Sequence, residues 1–339
     1  MIDRPTPLTR MAFLLRYAVF IERLGAPAGT LFTKSSIPDE LLAHPEAAVG
    51  LKNAYHFGEL ACKAADSEHL GLFIGMQTSL RDLGLMGEQL RCSTTVYDYF
   101  RKAIALYDML MAGQRIWLSY HGEQVHFNVA TFGKPGLGPY QSQLENLAVT
   151  TMALRRVLGR DWSPSRVCLT YKSREHFPEN SCFASSYIVS GADMSYLTFP
   201  RAALAMPFSD GSLRPPELPE CVESHRLSDN VSDMVRLQVE ALLCEETLHI
   251  DTLAESLMMS RRSLQRALAE QGTSYSELLA DSRAHEAMRR LQYSDEPVAD
   301  IAFSLGYTDA SNFTRAFRCR NGISPQHFRQ NLNPDLPFH

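Results

Sequence analysis

Two stretches in the last third of the chain repeat one another, and few features restrict a fold more. Leu253-Ala254-Glu255-Ser256-Leu257 returns 48 residues later as Ile301-Ala302-Phe303-Ser304-Leu305. Ser263-Leu264-Gln265-Arg266-Ala267-Leu268 returns after 49 residues as Asn312-Phe313-Thr314-Arg315-Ala316-Phe317, so the second copy is one residue longer between its halves. Each copy reads as a short helix, a tight turn and a second helix with polar and basic residues exposed. That is the pattern of a helix-turn-helix, whose second helix can enter the major groove of DNA. Two copies in one chain point to a monomer that reads two successive grooves.

In the first copy, Asp251 or Thr252 is expected to cap a helix through Leu257, and Ser260 to cap the next through Gln271, before Gly272. Leu253, Ala254, Leu257, Leu264, Ala267 and Leu268 form the apolar set where the two helices cross. Opposite that face lie Arg261, Arg262, Gln265 and Arg266. Arginine pairs bidentately with guanine and glutamine with adenine, which is the chemistry of direct base readout. Tyr275–Leu291 is expected as a long helix, with Tyr275, Leu278, Leu279, Met288 and Leu291 inward, that holds the two copies apart. In the second copy, Pro297 suits the first turn of Val298–Leu305, and Gly306 supplies the turn. Asp309 can cap the helix through Arg320. Ile301, Ala302, Leu305, Phe313, Ala316 and Phe317 are expected inward, with Ser311, Asn312, Thr314, Arg315 and Arg318 outward.

A strongly basic domain would be the simple signature of a nucleic-acid binder, and it is absent. The whole chain of 339 residues carries a formal charge of −5. Residues 231–330 hold eleven Arg, no Lys and fourteen Asp or Glu, a balance of −3. The charge is segregated by element instead. Ser260–Gln271 holds three arginines against Glu270 alone, and Ala310–Gly322 holds Arg315, Arg318 and Arg320 with no acid. Phosphate neutralisation acts within about a Debye length, so groove binding needs a local positive face more than a basic domain.

The first two-thirds of the chain has a different texture. Residues 9–24 read as a helix with Thr9 as cap and Gly25 past its end. Leu41 to Ala65 is helix-rich, and Thr94–Met111 places Val96, Tyr97, Phe100, Ile104 and Tyr107 at helical spacing. Arg115–Tyr120 and Gln124–Val129 alternate with period two around His121-Gly122-Glu123, a hairpin signal. Lys134–Pro139 reads as a loop, Ser142–Leu158 as helix, and Arg166–Tyr171 and Ser195–Phe199 as further strands. Asp210–Pro219 carries Gly211, Pro215, Pro216 and Pro219, which suit neither a helix nor a central strand. The expected fold is α+β. A mixed α/β domain with an antiparallel sheet spans residues 1–208 and a proline-rich linker 209–228. An all-α domain spans 229–331, with helix-turn-helix units at 251–271 and 298–321 and about seven helices.

Other chemistries are poorly supported. Seven cysteines are scattered with no C-x-x-C pair, which fits reduced thiols in a cytoplasm better than a disulfide framework or a zinc site. The apolar run Met11–Ile21 is broken by Arg16 and closed by Glu22 and Arg23, which suits an amphipathic or buried helix better than a secretory leader. Gly133–Gly138 lacks the G-x-x-x-x-G-K-[ST] of a phosphate loop, and Pro135 removes an amide donor. His121 and His126 have no second ligand cluster for a metal. Trp117, Tyr120 and Phe127 suit a core, or the wall of an effector cavity. No catalytic constellation appears, so no cofactor is expected.

The run Arg283…Ala287…Leu291…Val298…Ile301-Ala302…Gly306-Tyr307…Ser311-Asn312-Phe313…Arg315-Ala316-Phe317-Arg318…Gly322-Ile323-Ser324-Pro325…Phe328-Arg329 resembles the hallmark of AraC/XylS transcription regulators. The resemblance covers about 100 residues with many fixed spacings. It implies two helix-turn-helix units joined by a long helix, set in adjacent major grooves of double-stranded DNA roughly 34 Å apart. By that similarity Arg262, Gln265 and Arg266 are the base readers of the first unit. Asn312 and Arg315, with Ser311 and Thr314 nearby, take that part in the second. One departure is Met258, which stands where the family has glycine and where the second copy has Gly306; a left-handed conformation there would cost on the order of 1 kcal/mol. Residues 1–205 resemble the arabinose-binding-like domain of a subgroup, which does not make arabinose the ligand. The implied function is a bacterial, cytoplasmic, nucleoid-associated regulator, activating rather than repressing. Its partners would be RNA polymerase, a small-molecule effector on the N-terminal domain, and a second copy of itself. The alternative is a DNA-binding protein with no effector, whose N-terminal domain only dimerises.

Overall fold

The computed structural model describes residues 7–131, 133–209, 227, 230–243, 249–257 and 259–332, with backbone alone at 241, 331 and 332. Apart from residues 209 and 227, the expected linker 209–228 lies outside the described residues, as does Met258. The chain separates into two compact units, one ending at Asp229 and one starting at Asn230.

The N-terminal unit runs β1 (Leu8–Arg10), α1 (Met11–Arg23), α2 (Ala28–Lys34), β2 (Ala48–Gly50), α3 (Leu51–Ala64), α4 (Leu70–Gln77), α5 (Gly84–Arg91) and α6 (Val96–Leu106). It continues through β3 (Gln114–His121), β4 (Gln124–Thr131), α7 (Leu137–Leu158), β5 (Arg166–Leu169), β6 (Tyr187–Ser190) and β7 (Ser195–Pro200). The main sheet has the order β3-β4-β7-β5-β6. The hairpin β3–β4 forms in the register Ile116↔Val129 and Leu118↔Phe127. This register puts Val125, Phe127 and Val129 on one face, in line with Leu197 and Phe199 of β7, and all five are buried. Three pairings are antiparallel, as expected, and the edge pair β5–β6 is parallel. Parallel neighbours need a crossover of roughly a dozen residues or more, and residues 170–186 provide that length.

Helix α6 covers the sheet. Thr95 caps it, its Oγ1 accepting from the Asp98 amide at 3.1 Å, and Phe100 stacks on Phe199 with ring centroids 5.2 Å apart. The stripe that reaches the core is Val96, Tyr99, Phe100 and Ala103; Tyr97 and Ile104 are exposed. The expected apolar set is therefore rotated by about one position, because the i, i+3, i+4, i+7 face runs through Tyr99 and Ala103.

Helix α7 is the axis of the unit and is buried on most of its circumference. It begins at Leu137, inside the segment expected as a loop. Helix α4 lies directly against it. A Cβ at Gly71 would stand 2.2 Å from the Gln141 carbonyl oxygen, and one at Gly75 2.7 Å from Ala148 Cβ. Two glycines one turn apart thus let the backbones approach, and the Gly71 amide donates to Gln141 Oε1 at 2.8 Å. Thr9, expected to cap α1, instead pairs with Val49 in β1–β2, a place that suits its β-branched side chain.

The C-terminal unit is helical: α8 (Val231–Ala241), α9 (Ile250–Ser256), α10 (Arg261–Glu270), α11 (Tyr275–Tyr293), α12 (Val298–Ser304), α13 (Ala310–Asn321) and α14 (Pro325–Leu332). Leu253, Leu257, Leu264 and Leu268 close the core of one helix pair, and Ile301, Leu305, Phe313 and Phe317 that of the other. Full burial of such side chains is worth about 1.5–3 kcal/mol each. Phe317 also meets Phe328 of α14 edge-on at 5.7 Å. On α11, Leu278 and Leu291 are buried, whereas Tyr275, Leu279 and Met288 are half-buried.

Candidate nucleic-acid interface

The two copies of the repeat fold alike down to single hydrogen bonds. In α9 the Leu257 amide donates to the Leu253 carbonyl at 3.1 Å, and the Met259 amide to that of Ala254 at 2.8 Å. In α12 the Leu305 amide donates to Ile301 at 3.1 Å, and Tyr307 to Ala302 at 3.1 Å. The extra residue of the second copy falls after these bonds and before the next cap. Ser260 Oγ then accepts from the Ser263 amide at 3.1 Å to start α10, and Asp309 Oδ1 accepts from the Asn312 amide at 2.7 Å to start α13. Helix α9 has no such cap: its N-cap is His249 without a side-chain bond. Asp251, expected in that role, reaches Arg261 Nη1 at 3.1 Å instead.

Equivalent serines anchor each first helix to a neighbour. Buried Ser256 donates to Gln238 Oε1 on α8 at 2.9 Å, and Ser304 accepts from Arg290 on α11. Both serines stand in the repeated sequence, where they read only as part of a helical pattern; their conserved offset was the available signal. The second turn is also held from α11. Gly306 has φ +76°, and a Cβ there would fall 2.6 Å from Arg283 Nη2. Arg283 Nη2 donates to the Gly306 carbonyl at 3.4 Å, with its guanidinium 5.0 Å from the centroid of the Tyr307 ring. Arg283 is thus a structural anchor, and the turn needs a residue without a side chain for two reasons at once.

Once each pair is locked, α10 and α13 turn one face to solvent. Arg261, Arg262, Gln265 and Arg266 are exposed on α10, and Ser311, Asn312, Arg315 and Arg318 on α13. Arg262, Arg315 and Arg318 take part in none of the ion pairs among the described residues of this unit. Arg261 pairs with Asp251, and Arg266 with Glu270 at 3.8 Å, all four side chains more than half exposed; surface pairs of this kind are worth about 0–1 kcal/mol and exchange readily. Thr314 is half-buried and its hydroxyl donates to the Ala310 carbonyl at 2.8 Å, so it is less available than expected. Ala316, expected inward, is exposed. Arg289 and Arg290 both pair with Glu286, and Arg329 donates to the Glu296 carbonyl at 2.6 Å. Arg290 and Arg329 belong to the frame, whereas the pair made by Arg289, its side chain 64% exposed, lies at the surface.

In the N-terminal unit, the hairpin histidines stack at 4.1 Å. Among the described residues no group of three or more His, Cys, Asp or Glu could hold a metal ion, and no helix is long and apolar enough to cross a membrane. Burial pushes the Cys62 and Cys182 thiols up to about 12, which disfavours the thiolate at these two positions. Of the candidate cavity aromatics, Phe127 lines a cavity between α1, α5, α6, α7 and β3–β4, and Trp117 and Tyr120 are not part of that wall.

Compared with known proteins, residues 253–331 match the family described as a helix-turn-helix domain. Residues 25–208, more than half of the chain, match the N-terminal arabinose-binding domain of AraC transcription regulators. The ornithine utilization regulator of Pseudomonas aeruginosa is 40% identical over 81 residues, 24% of this chain and 24% of that protein. The regulator GadX of Escherichia coli is 33% identical over 85 residues, 25% of this chain and 31% of that protein. The chain thus spans 24% to 31% of the length of these curated relatives. The crystal structure of the transcriptional regulator CdpR from Pseudomonas aeruginosa aligns over 90% of this chain and 96% of its own, with 20% identity and a TM-score of 0.37.

Proposed function

The chain belongs to the AraC family of transcription regulators, and on that premise we propose that it binds a two-part operator in duplex DNA under the control of a small molecule. The observation that carries this reading is the paired construction of the repeat: two capped helices, α10 and α13, each with an arginine-bearing exposed face and a buried reverse. Arg261, Arg262, Gln265 and Arg266 read or flank one half-site. Asn312, Arg315 and Arg318, with Ser311 and Thr314 at the margin, serve the other. Bidentate arginine and amide contacts supply base choice, and the remaining arginines neutralise phosphates. The domain division is 1–208, 209–228 and 229–331, in line with the change of unit at Asn230.

The effector binds the N-terminal unit and alters DNA affinity by as much as it favours one arrangement over another. Activation, recruitment of RNA polymerase and pairing with a second copy are proposed from family membership.

Selection of random duplex DNA by the full-length protein at stated salt tests the reading. A motif whose halves lie about ten base pairs apart is the expected result. A single half-site makes one copy structural and overturns the two-groove reading; no enriched sequence, with and without cell extract as a source of effector, overturns sequence-specific binding.

A further inference from the structure

Helix α6 buries one side against the sheet and turns the other to solvent. On the outer side Tyr97, Arg101, Ile104 and Asp108 recur at i, i+4, i+7 and i+11, the last in the turn that follows the helix, and all four are exposed. Scattered exposed apolar residues are ordinary on a protein surface, and Leu24 and Tyr187 are more exposed than Ile104. What sets α6 apart is the placement of its charges. Arg101 stands before Ile104 and Ala105, and Asp108 after them, so an apolar centre with a small residue is flanked by one charge of each sign. The Arg101 side chain is 60% exposed and rests on Asp98 at 2.8 Å. Asp98 also meets Lys102 Nζ at 2.9 Å and accepts from the Thr94 amide at 3.2 Å, so it stays neutralised when Arg101 turns away. Asp108 takes part in none of the ion pairs among the described residues of this unit.

We infer that the outer face of α6 is where two copies of this chain pair, as an antiparallel helix pair about a two-fold axis at Ile104 and Ala105. This face serves the pairing with a second copy proposed above, and rests on that reading. In a two-fold contact one patch meets itself, so residue i faces j while j faces i. With Ile104 of each copy opposite Ala105 of the other, Arg101 of each falls opposite Asp108 of the other. Two ion pairs then close at once, one on each side of the apolar centre. A register centred on Arg101 would set like charges together, which is costly. One centred between Tyr97 and Arg101 would leave Asp108 outside the contact and set Ile104 against Thr94. Opposite charges thus select a single register, and they call for a partner that carries the same stripe in reverse, as a second copy does. Packed helix axes lie about 8–10 Å apart, and Ala105 at the crossing allows the short end of that range. One face of an eleven-residue helix makes a small interface, so the dimer is expected to be weak, with a Kd on the order of micromolar.

Sedimentation velocity of the full-length protein without DNA, from about 1 to 200 µM, tests the face. The expected result is a reversible monomer–dimer equilibrium within that range. Ile104→Glu should weaken the dimer by about tenfold or more, since it sets a carboxylate in the apolar centre. Arg101→Glu and Asp108→Arg should each weaken it by about tenfold, because each puts like charges face to face. The two together restore opposite charges and should recover the dimer to within about threefold of the wild type. Leu24→Glu on the loop after α1 and Tyr187→Glu on β6 should leave the dimer as it is. Circular dichroism reports folding, and three separate positions on α6 guard against one variant failing to fold. The inference is overturned by a wild type that stays monomeric, by a folded Ile104→Glu that pairs like the wild type, or by a double charge variant no better than the single ones. Loss of the dimer in Tyr187→Glu alone would also overturn it and move the contact to the sheet edge. A monomeric wild type removes the proposed pairing altogether, whereas a dimer indifferent to the α6 variants keeps the pairing and removes this face. Because no DNA is present, both outcomes are independent of the duplex selection.

Discussion

The carboxylate of Asp309 holds both amides of Asn312: Oδ1 accepts from the backbone N–H at 2.7 Å and Oδ2 from side-chain Nδ2 at 2.6 Å. The cap that starts α13 therefore also aims the amide best suited to an adenine edge. An amide nitrogen has two hydrogens, so Nδ2 can keep its bond to Asp309 and still donate to a base. The proposed base contact is thus preorganised by a stability element. Asp309→Ala should lower unfolding stability by about 0.5–2 kcal/mol in urea titrations, the usual worth of a cap. Asp309→Ser should keep most of that stability and release the Asn312 side chain. Both variants should lose preference at the base Asn312 reads. Unchanged preference in Asp309→Ser would place Asn312 away from the base edges.

Arg315 and Arg266 occupy equivalent positions of the two copies and are both exposed. Each change to alanine should weaken binding by about 1–3 kcal/mol and relax selectivity at one base pair. The two should act on different half-sites, as measured by binding to operators randomised in one half at a time. Loss of the same base preference in both variants would contradict two separate readers. A uniform loss on every sequence would make the arginine concerned a phosphate contact.

Much of the C-terminal unit was legible because its signals are local. Ser260 and Asp309 lie immediately before their helices, and the leucine and phenylalanine spacing fixes which side is buried. Errors came where local rules compete. Asp251 is a good cap by type, but it is drawn to Arg261 across the turn, and Ala316 is small enough to face either way. In the N-terminal unit the hairpin was plain from its alternation, whereas the parallel β5–β6 pair depends on a crossover that no short window reveals. Arg16 already stood out as a charge inside an apolar run. Its partner, Glu145, lies 129 residues away, and only the folded chain brings the two together.

Arg283 faces the turn of the second copy rather than solvent, through Gly306 and the Tyr307 ring. Arg283→Ala should reduce stability by about 0.5–2 kcal/mol, the range of a partly desolvated cation–π contact, and leave base preference intact. The measurement is a urea titration beside a salt series of DNA binding. Unchanged stability with a salt slope smaller by about one would identify a phosphate contact instead.

The Arg16–Glu145 pair predicts an asymmetry between single and double replacements. Burial raises the Glu145 carboxyl above its ordinary range while Arg16 pulls it back. Glu145→Leu alone should cost about 3–5 kcal/mol, because it leaves a desolvated guanidinium. Arg16→Met combined with Glu145→Leu should recover most of that loss. A double variant no more stable than the single one would show that Arg16 does more than balance Glu145.

Acidification should unfold the N-terminal unit through its histidines. His69 is 1% exposed; the Tyr140 hydroxyl meets its Nδ1 at 3.0 Å and the Glu175 carbonyl its Nε2 at 3.4 Å. Burial holds its pKa below the ordinary 6.5, against the raising effect of Glu175 and Glu68. His126 is lowered as well, first by burial and then by His121 and Arg166. A base with a depressed pKa in the folded state binds its proton more readily when unfolded. The stability it protects is therefore complete above the unfolded value of 6.5 and is lost as pH falls through the folded pKa. Thermal unfolding midpoints should stay level from about pH 8 to pH 7 and drop toward pH 5. His69→Gln should start lower but show a shallower drop, since one of the two titrating sites is gone. An equally steep drop in that variant would assign the acid sensitivity to other groups.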